Sequence, residues 1–204
     1  MKIHLLSLCA LLTAAGAAEA DPRIIFIDPA APEAAAVRQA GEAASARVAT
    51  RLITELTAAL GAGGPEKAVD VCHTRALPLT KEPLPGLPQV TAVKRTSLRL
   101  RNPANAPDPA EQAALDRIAA LVADGKPAPA LLIQKIETTG TAAPEWRLYR
   151  SFGIQPACLA CHGTTESQSS SLRALLRERY PQDAATGYAV GDWRGLVRVT
   201  VRIP

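Results

Sequence analysis

The sequence predicts an α+β protein in which helices come first and mostly antiparallel strands follow, with further helices inserted between them. Three observations predict this fold class: an Ala-rich stretch of helical periodicity early in the chain, a change to alternating and β-branched runs in the second half, and clusters of Pro and Gly between the two kinds of segment. The regular alternation of strands and helices that is typical of parallel sheets is not found. The 204 residues are enough for one globular domain.

The helical part begins with a long N-terminal helix, predicted over residues 29–64. Ala, Arg and Glu dominate its middle, aliphatic residues recur every three to four positions, and a Gly-rich segment at 61–64 ends it. A second helix is predicted to begin at Pro65, whose missing N–H is harmless in a first turn, and to carry Cys72. Four prolines between residues 78 and 88 predict a loop.

Five later segments are predicted to be strands because they are short, rich in aliphatic and β-branched residues, and bounded by turn residues. They are residues 90–94, 97–101, 130–138, 147–152 and 195–203. In the second of them, Leu98 and Leu100 alternate with arginines. This alternation is expected of a strand with one buried face.

Two helices are predicted among or after these strands. Asp108 is suited to cap the first, with Pro109 at its first position and Glu111 in its first turn. Gly125 is placed to end it. The second helix is predicted over residues 171–179, and it completes the α+β pattern.

The first 20 residues have the pattern of a cleavable signal peptide. Lys2 supplies a positive start, an apolar run follows, and Ala18-Glu19-Ala20 matches an A-x-A cleavage site. An uncleaved membrane anchor is the alternative, but the apolar run is shorter than the roughly 20 residues that a span needs. We therefore expect a periplasmic chain without a transmembrane segment, in which residues 21–204 form a single domain.

The charge balance indicates no nucleic-acid partner. Lys and Arg number 23 against 19 Asp and Glu, a formal net charge of +4. This excess is small and scattered along the chain, unlike the basic patches of nucleic-acid-binding proteins.

One motif carries specific chemistry: Cys158 and Cys161 are separated by two residues, and His162 follows directly. Two thiols at this spacing can add across the two vinyl groups of one porphyrin, and a histidine after the second thiol is placed to become the proximal iron ligand. Such attachment takes place outside the cytoplasm. Together with an export signal, the C-x-x-C-H motif therefore predicts one covalently attached haem c.

Three other interpretations of the motif stay open on the residues alone. A thioredoxin-like redox pair normally opens a helix after a strand of a β-α-β unit, which is not predicted here. A structural zinc site would recruit Cys72 or His73, although zinc sites of this spacing usually show two paired clusters. A plain disulfide between Cys158 and Cys161 is the third.

The second axial ligand has three candidates by residue chemistry: Cys72, His73, or an open or water-filled position. Met1 leaves with the signal peptide, so a His/Met pair is not available. The side chains of Cys72 and His73 point about 100° apart on the predicted helix, so only one can face the iron. Without Cys9 of the leader the number of cysteines is odd, which slightly favours Cys72 as a ligand.

Four segments, taken in order, resemble one family of proteins. They are A-V-D-V-C-H at residues 68–73, R-T-S-L-R-L-R-N-P-A-N at 95–105, C-L-A-C-H-G at 158–163, and Y-P-Q-D-A-A-T-G-Y at 180–188 with G-D-W-R-G at 191–195. The family is the cyanobacterial-type c-haem domain family, formerly a domain of unknown function, and the resemblance runs from about Thr50 to the C-terminus. It implies a PAS-like antiparallel sheet flanked by helices, with a long N-terminal helix.

The resemblance also implies that a histidine and a cysteine thiolate bind the haem iron. Carried over by position, His162 is the proximal ligand and Cys72 the distal one, while His73 beside Cys72 keeps the distal choice open. Separately, Arg95, Arg99 and Arg101 are candidates to neutralise haem propionates, because guanidinium groups pair well with carboxylates. The alternative for these arginines is a solvated strand face.

The favoured function is low-potential one-electron transfer to a redox partner protein that the sequence does not identify. A six-coordinate haem leaves no open site for a substrate, and a thiolate ligand stabilises ferric iron. A haem-based redox or gas sensor that signals through a partner is the alternative, favoured by the PAS-like resemblance. An enzyme such as a peroxidase would need an open iron and a distal acid–base group, so no catalytic residue is predicted. The oligomeric state stays open, and a homodimer packed through the N-terminal helix is compatible with the pattern.

Overall fold

A five-stranded antiparallel sheet lies at the centre of the structure, a computed structural model that describes residues 22–141 and 143–203. Its strands are β1 (Arg23–Ile27), β2 (Val90–Thr96), β3 (Leu131–Glu137), β4 (Glu145–Gly153) and β5 (Trp193–Val201). They lie in the order β1-β3-β4-β5-β2, and each neighbouring pair is antiparallel. The predicted α+β class is therefore confirmed. The predicted signal peptide, residues 1–20, lies outside the described residues.

The predicted long N-terminal helix is confirmed as α1, Ala35–Lys81, which follows a single 3₁₀ turn at Pro32–Ala34. The helix is kinked at Gly63 and Gly64, where the backbone leaves helical geometry. Gly64 has a φ of 69°, a left-handed conformation that favours glycine. Pro65 follows directly, at the start of the second half of α1. A backbone N–H in a first turn has no partner within the helix, so its absence in Pro65 costs no helical hydrogen bond. The predicted break between two helices is thus a kink between two halves of α1.

The second half of α1 continues past Pro78 to Lys81. The loop was predicted to begin at residue 78, but it begins only after Lys81. The final turn is held by packing: Leu79 and Thr80 are buried, and Thr80 Oγ1 donates a hydrogen bond to the Ala76 carbonyl at 2.7 Å. Burial of this turn offsets the loss of one helical hydrogen bond, which Pro78 cannot donate because it has no backbone N–H.

The first half of α1 covers one face of the sheet. Val37, Ala40 and Ala44 are buried and belong to one core cluster with Leu148 of β4. The approach is close, because a Cβ atom on Gly41 would lie 2.7 Å from Leu148 Cβ. Small residues on this helix face therefore fix the distance between α1 and the sheet.

The segment 97–101 is not a strand, contrary to the prediction from its alternating Leu and Arg residues. β2 ends at Thr96, and the chain then leaves the sheet. The side chains of Arg99 and Arg101 instead donate hydrogen bonds to oxygen atoms of the segment 183–186. These distant contacts decide the local conformation, and the periodicity of the segment carries no information about them.

The inserted helices lie close to their predicted positions. α2 (Pro109–Ala123) begins with a capping box, in which the Asp108 side chain accepts the Glu111 N–H at 2.8 Å and the Glu111 side chain accepts the Asp108 N–H at 2.9 Å. α3 (Leu159–His162) is a single turn, and α4 (Ser170–Arg179) packs against the second half of α1. Among the helices in the described ranges, none is long and apolar enough to cross a membrane.

A buried ion cluster joins α2 to the sheet and allows a first prediction. The Glu111 carboxylate is 0% exposed and lies 2.6 Å from Lys94 Nζ and 2.9 Å from Arg198 Nε. Glu111→Ala is expected to lower the free energy of unfolding by about 3–5 kcal/mol, because it leaves two largely buried cations without a counter-charge. Urea unfolding measures the loss. Glu137→Ala, which removes an exposed ion-paired carboxylate of β3, is the control, and equal losses in the two variants would contradict the assignment.

Candidate functional site

The predicted motif residues and Cys72 line one cavity of about 230 Å³ between α1, α3 and the ends of β2 and β4. Its apolar walls include Leu56, Leu60, Ala68, Val69, Ala76, Leu100, Phe152 and Ile154. Its polar lining includes Cys72, Arg95, Arg101, Asn105, Cys158, Cys161, His162, Tyr180 and Arg194. The fold thus brings six of the predicted candidates to one cavity, and the two that do not line it are Arg99 and His73.

The C-x-x-C-H motif folds as a 3₁₀ turn, Pro156–Cys158, followed by α3. Residues three apart on a helical turn lie on the same side, so Cys158 and Cys161 both line the cavity. The turn closes tightly, since the Gly163 N–H donates to the Leu159 carbonyl at 2.9 Å and a Cβ atom on Gly163 would lie 2.7 Å from that oxygen. All three cysteines in the described ranges are free thiols.

The His162 imidazole has the tautomer and charge of a metal ligand. Its Nδ1 lies 2.7 Å from the Ala185 carbonyl oxygen. Because a carbonyl only accepts, Nδ1 carries the proton and Nε2 keeps a free lone pair. Burial, with a contribution from the Arg101 charge, lowers the pKa of His162 to about 3. The ring is therefore neutral, as coordination through Nε2 requires.

Arg101 holds the segment that orients His162. Its guanidinium donates to Asp183 Oδ2 at 3.0 Å and to the carbonyls of Cys161 at 2.6 Å and Ala185 at 3.2 Å. Asp183 in turn accepts the Ala185 N–H at 2.8 Å. One side chain therefore connects the motif to the loop whose carbonyl holds the imidazole, a role that its predicted position on a strand did not indicate.

Cys72 lines the cavity from the second half of α1, whereas the neighbouring His73 does not. The His73 side chain is exposed and packs edge-on against Tyr180, with ring centroids 5.2 Å apart. Burial raises the pKa of the Cys72 thiol, and the positive charges of Arg95 and Arg101 oppose this effect. Of the two side chains that the sequence left open, Cys72 is the one that faces the cavity.

Two buried polar atoms of the cavity lining have no hydrogen-bond partner within the described part of the chain: Arg95 Nε and Asn105 Oδ1. Buried polar groups without partners are rare, and each needs an explanation such as a missing ligand. A guanidinium N–H in a largely apolar wall suits an acidic ligand group. Sequence reasoning missed Asn105, because its neighbours indicate only a turn, and such a turn does form at Pro103–Asn105.

Arg99 lies outside the cavity, although the sequence grouped it with Arg95 as a candidate for acidic ligand groups. It donates to two backbone carbonyls of the segment 184–186, and its guanidinium carbon lies 4.2 Å from the centroid of the Tyr188 ring. Arg194 lines the cavity instead; it belongs to the G-D-W-R-G segment that contributes to the resemblance, but no role was predicted for it. The grouping failed because the segment after β2 is not a strand, so Arg95 and Arg99 do not share a face.

The cavity lining suits a mostly apolar ligand with acidic groups. Its thiols can bond covalently or coordinate, its neutral imidazole can coordinate, and its arginines can neutralise acids. The described ranges contain no group of three or more His, Cys, Asp or Glu side chains close enough to hold a metal ion by themselves.

Comparison with known proteins identifies relatives of this chain. The family model described as Tll0287-like matches residues 30–202. Among solved structures, the chain is similar to one described as the cyanobacterial heme-protein Tll0287, with 22% sequence identity, a TM-score of 0.48, and coverage of 86% of this chain and 98% of that chain. A search of curated proteins finds no match.

Proposed function

We propose, from the premise that the chain belongs to the Tll0287-like family, that it is an exported c-type haem protein with one covalently attached haem. The observation that carries this proposal is the shared cavity: the two thiols and the imidazole of the C-x-x-C-H motif line the same space as Cys72. The name of the family supports it, because Tll0287 itself is described as a heme-protein.

The residues present fit a haem group. Cys158 and Cys161 would hold it through thioethers, and His162 would bind its iron through Nε2. Cys72 would be the second axial ligand. Arg95, whose buried Nε lacks a partner among the described residues, would pair with a propionate.

We infer that the function is low-potential one-electron transfer with a periplasmic redox partner. Bound haem supplies the redox chemistry, and its axial ligands set the potential. The chain supplies apolar walls that exclude water, a carbonyl that holds the Nδ1–H tautomer of His162, and two arginines close enough to Cys72 to act on its charge. A cysteine thiolate as ligand favours ferric iron and hence a low potential. No residue is assigned a catalytic role.

A redox or gas sensor is the second candidate. Cys72 lies beyond the kink at Gly63 and Gly64, on the half of α1 that packs against α4 rather than on the sheet-covering half. The Gly63–Gly64–Pro65 sequence accounts for this kink, which separates the half that carries Cys72 from the half on the sheet. Release of the Cys72 sulfur on reduction would then open a ligand position and shift this half.

The two candidates make different predictions for protein matured in a bacterial periplasm. We expect a pyridine haemochrome of c type, one haem per chain, and a reversible Nernst titration with one electron. Carbon monoxide is expected to bind the reduced protein slowly or not at all if the protein is an electron carrier. Rapid binding of carbon monoxide to the wild-type ferrous protein would favour the sensor, and purified protein without haem would contradict both candidates.

A further inference from the structure

A second pocket, of about 690 Å³, adjoins the cavity and is not used by the proposed function. We call it the groove; the residues that matter here are Leu98, Arg99, Val122, Lys126, Trp193 and Arg194. It lies between the segment after β2, the C-terminal end of α2 with the loop that follows, and the start of β5. Its volume is within the range of small-molecule sites, which is about 300–1,000 Å³.

Positive charge dominates the groove. Its lining contains three cations, Arg99, Lys126 and Arg194, and one carboxylate, Asp192. The guanidinium carbons of Arg99 and Arg194 lie 4.2 Å and 5.4 Å from the centroid of the Tyr188 ring. Within the described residues, neither guanidinium forms a salt bridge to a carboxylate. Among the described residues, the Lys126 ammonium forms one ion pair, with the exposed Asp124 at 3.5 Å. An acidic group in the groove would meet cations that the protein itself leaves without strong counter-charges.

The groove also contains a buried hydrogen-bond donor that is not satisfied. Trp193 Nε1 is buried and has no hydrogen-bond partner among the described residues. Leaving a buried donor unpaired is unfavourable, so a ligand acceptor that reaches the indole N–H would be favourable here. The indole N–H and the guanidinium groups together specify a ligand that accepts hydrogen bonds.

The remaining lining is apolar and exposed to solvent. Leu98 and Val122 are two of the few large hydrophobic residues with high exposure, at 45% and 40%. Phe152 and Pro127 contribute further apolar surface. We propose that the groove binds a small organic anion, in which a flat apolar body lies against these residues and a carboxylate, phosphate or sulfonate group meets the cations. The groove shares Phe152 and Arg194 with the wall of the haem cavity, whereas Leu98, Arg99, Val122, Lys126 and Trp193 line the groove and not the cavity.

The two tryptophans of the chain make a direct test possible. Naphthalene-1-sulfonate, the probe, is titrated into the ¹⁵N-labelled full-length protein while the two indole N–H signals are recorded by NMR. We expect the Trp193 signal to shift saturably and the signal of Trp146, which lies in another part of the core, to stay in place. A Trp146→Phe variant assigns the two signals. 1-Naphthylmethylammonium, which has the same body and the opposite charge, is expected to cause no saturable shift.

Variants separate a specific site from general apolar binding. Trp193→Phe is expected to weaken sulfonate binding about tenfold, as measured by calorimetry, because it removes the unpaired donor. Lys126→Gln is expected to weaken it about two- to fivefold, whereas Lys81→Gln, which changes an exposed lysine outside the groove, has no effect. The proposal is overturned if the Trp193 signal does not move, if both probes shift it equally, or if Lys126→Gln and Lys81→Gln bind the sulfonate alike.

Discussion

Replacing both Cys158 and Cys161 by serine is expected to abolish covalent haem attachment completely. The two thiols lie three residues apart on one helical turn and line the same cavity, and a serine hydroxyl does not form the thioether. The measurement is haem staining after denaturing electrophoresis, together with extraction of the protein by acidified acetone. Wild-type protein should keep its haem in both assays, and the double variant should show none in the protein band.

The control for this experiment is Cys72→Ser, which removes the third thiol of the same cavity. It is expected to keep haem in the protein band, because Cys72 is proposed to bind the iron and not a vinyl group. Each single motif variant should retain one thioether at most, with the ferrous α band at longer wavelength because one vinyl group stays conjugated. Equal loss of attached haem in Cys72→Ser and in the double variant would contradict this division of roles.

The parts of the site that the sequence predicted are those set by local spacing. The C-x-x-C-H motif needs only a helical turn to bring its thiols together, and that turn forms. In the fold, the capping box at Asp108 and Glu111 and the Gly-rich kink before Pro65 are likewise fixed by neighbours a few residues away. Such features can be predicted because the residues that form them are adjacent in the sequence.

The parts that were missed depend on contacts between distant residues. Arg194 lies at the start of β5, and Asn105 lies in the turn after β2, where its carbonyl accepts a hydrogen bond from Thr96 Oγ1. β1 was not predicted, although its run of isoleucines and Phe26 is a local strand signal; its pairing with β3, more than 100 residues later, is what the run does not indicate. Arg99 was misplaced for a related reason, since hydrogen bonds to the segment 184–186 draw it away from the cavity.

The choice between Cys72 and His73 shows where the sequence alone stops. The two residues are adjacent on one helix, and their composition and spacing are compatible with either ligand. The structure adds the rotation of α1 about its axis, which is set by the packing of Val69 against Leu172 and Leu176 of α4. That packing turns Cys72 toward the cavity and leaves His73 exposed.

Cys72→Ser is therefore expected to change the midpoint potential and the spectra of the haem iron, while the haem stays covalently attached. Loss of a thiolate ligand removes charge donation to ferric iron, so the midpoint potential should rise by roughly 100 mV or more, within the about 0.8 V over which axial ligands set haem potentials. The ferric absorption and electron paramagnetic resonance spectra should lose their thiolate features. Reduced Cys72→Ser protein should also bind carbon monoxide faster than wild type if the vacated position opens.

His73→Ala is the matched control, because it changes the adjacent residue on the same helix and removes an exposed ring that contacts Tyr180. Its potential and ferric spectrum should equal those of the wild type within the error of the titration. If His73→Ala moves the potential and Cys72→Ser does not, the distal ligand is His73, and α1 must be rotated by about one residue, or 100°, in the haem-bound protein. If neither variant moves it, the iron has no protein ligand from α1, and electron transfer through a six-coordinate haem loses its structural basis.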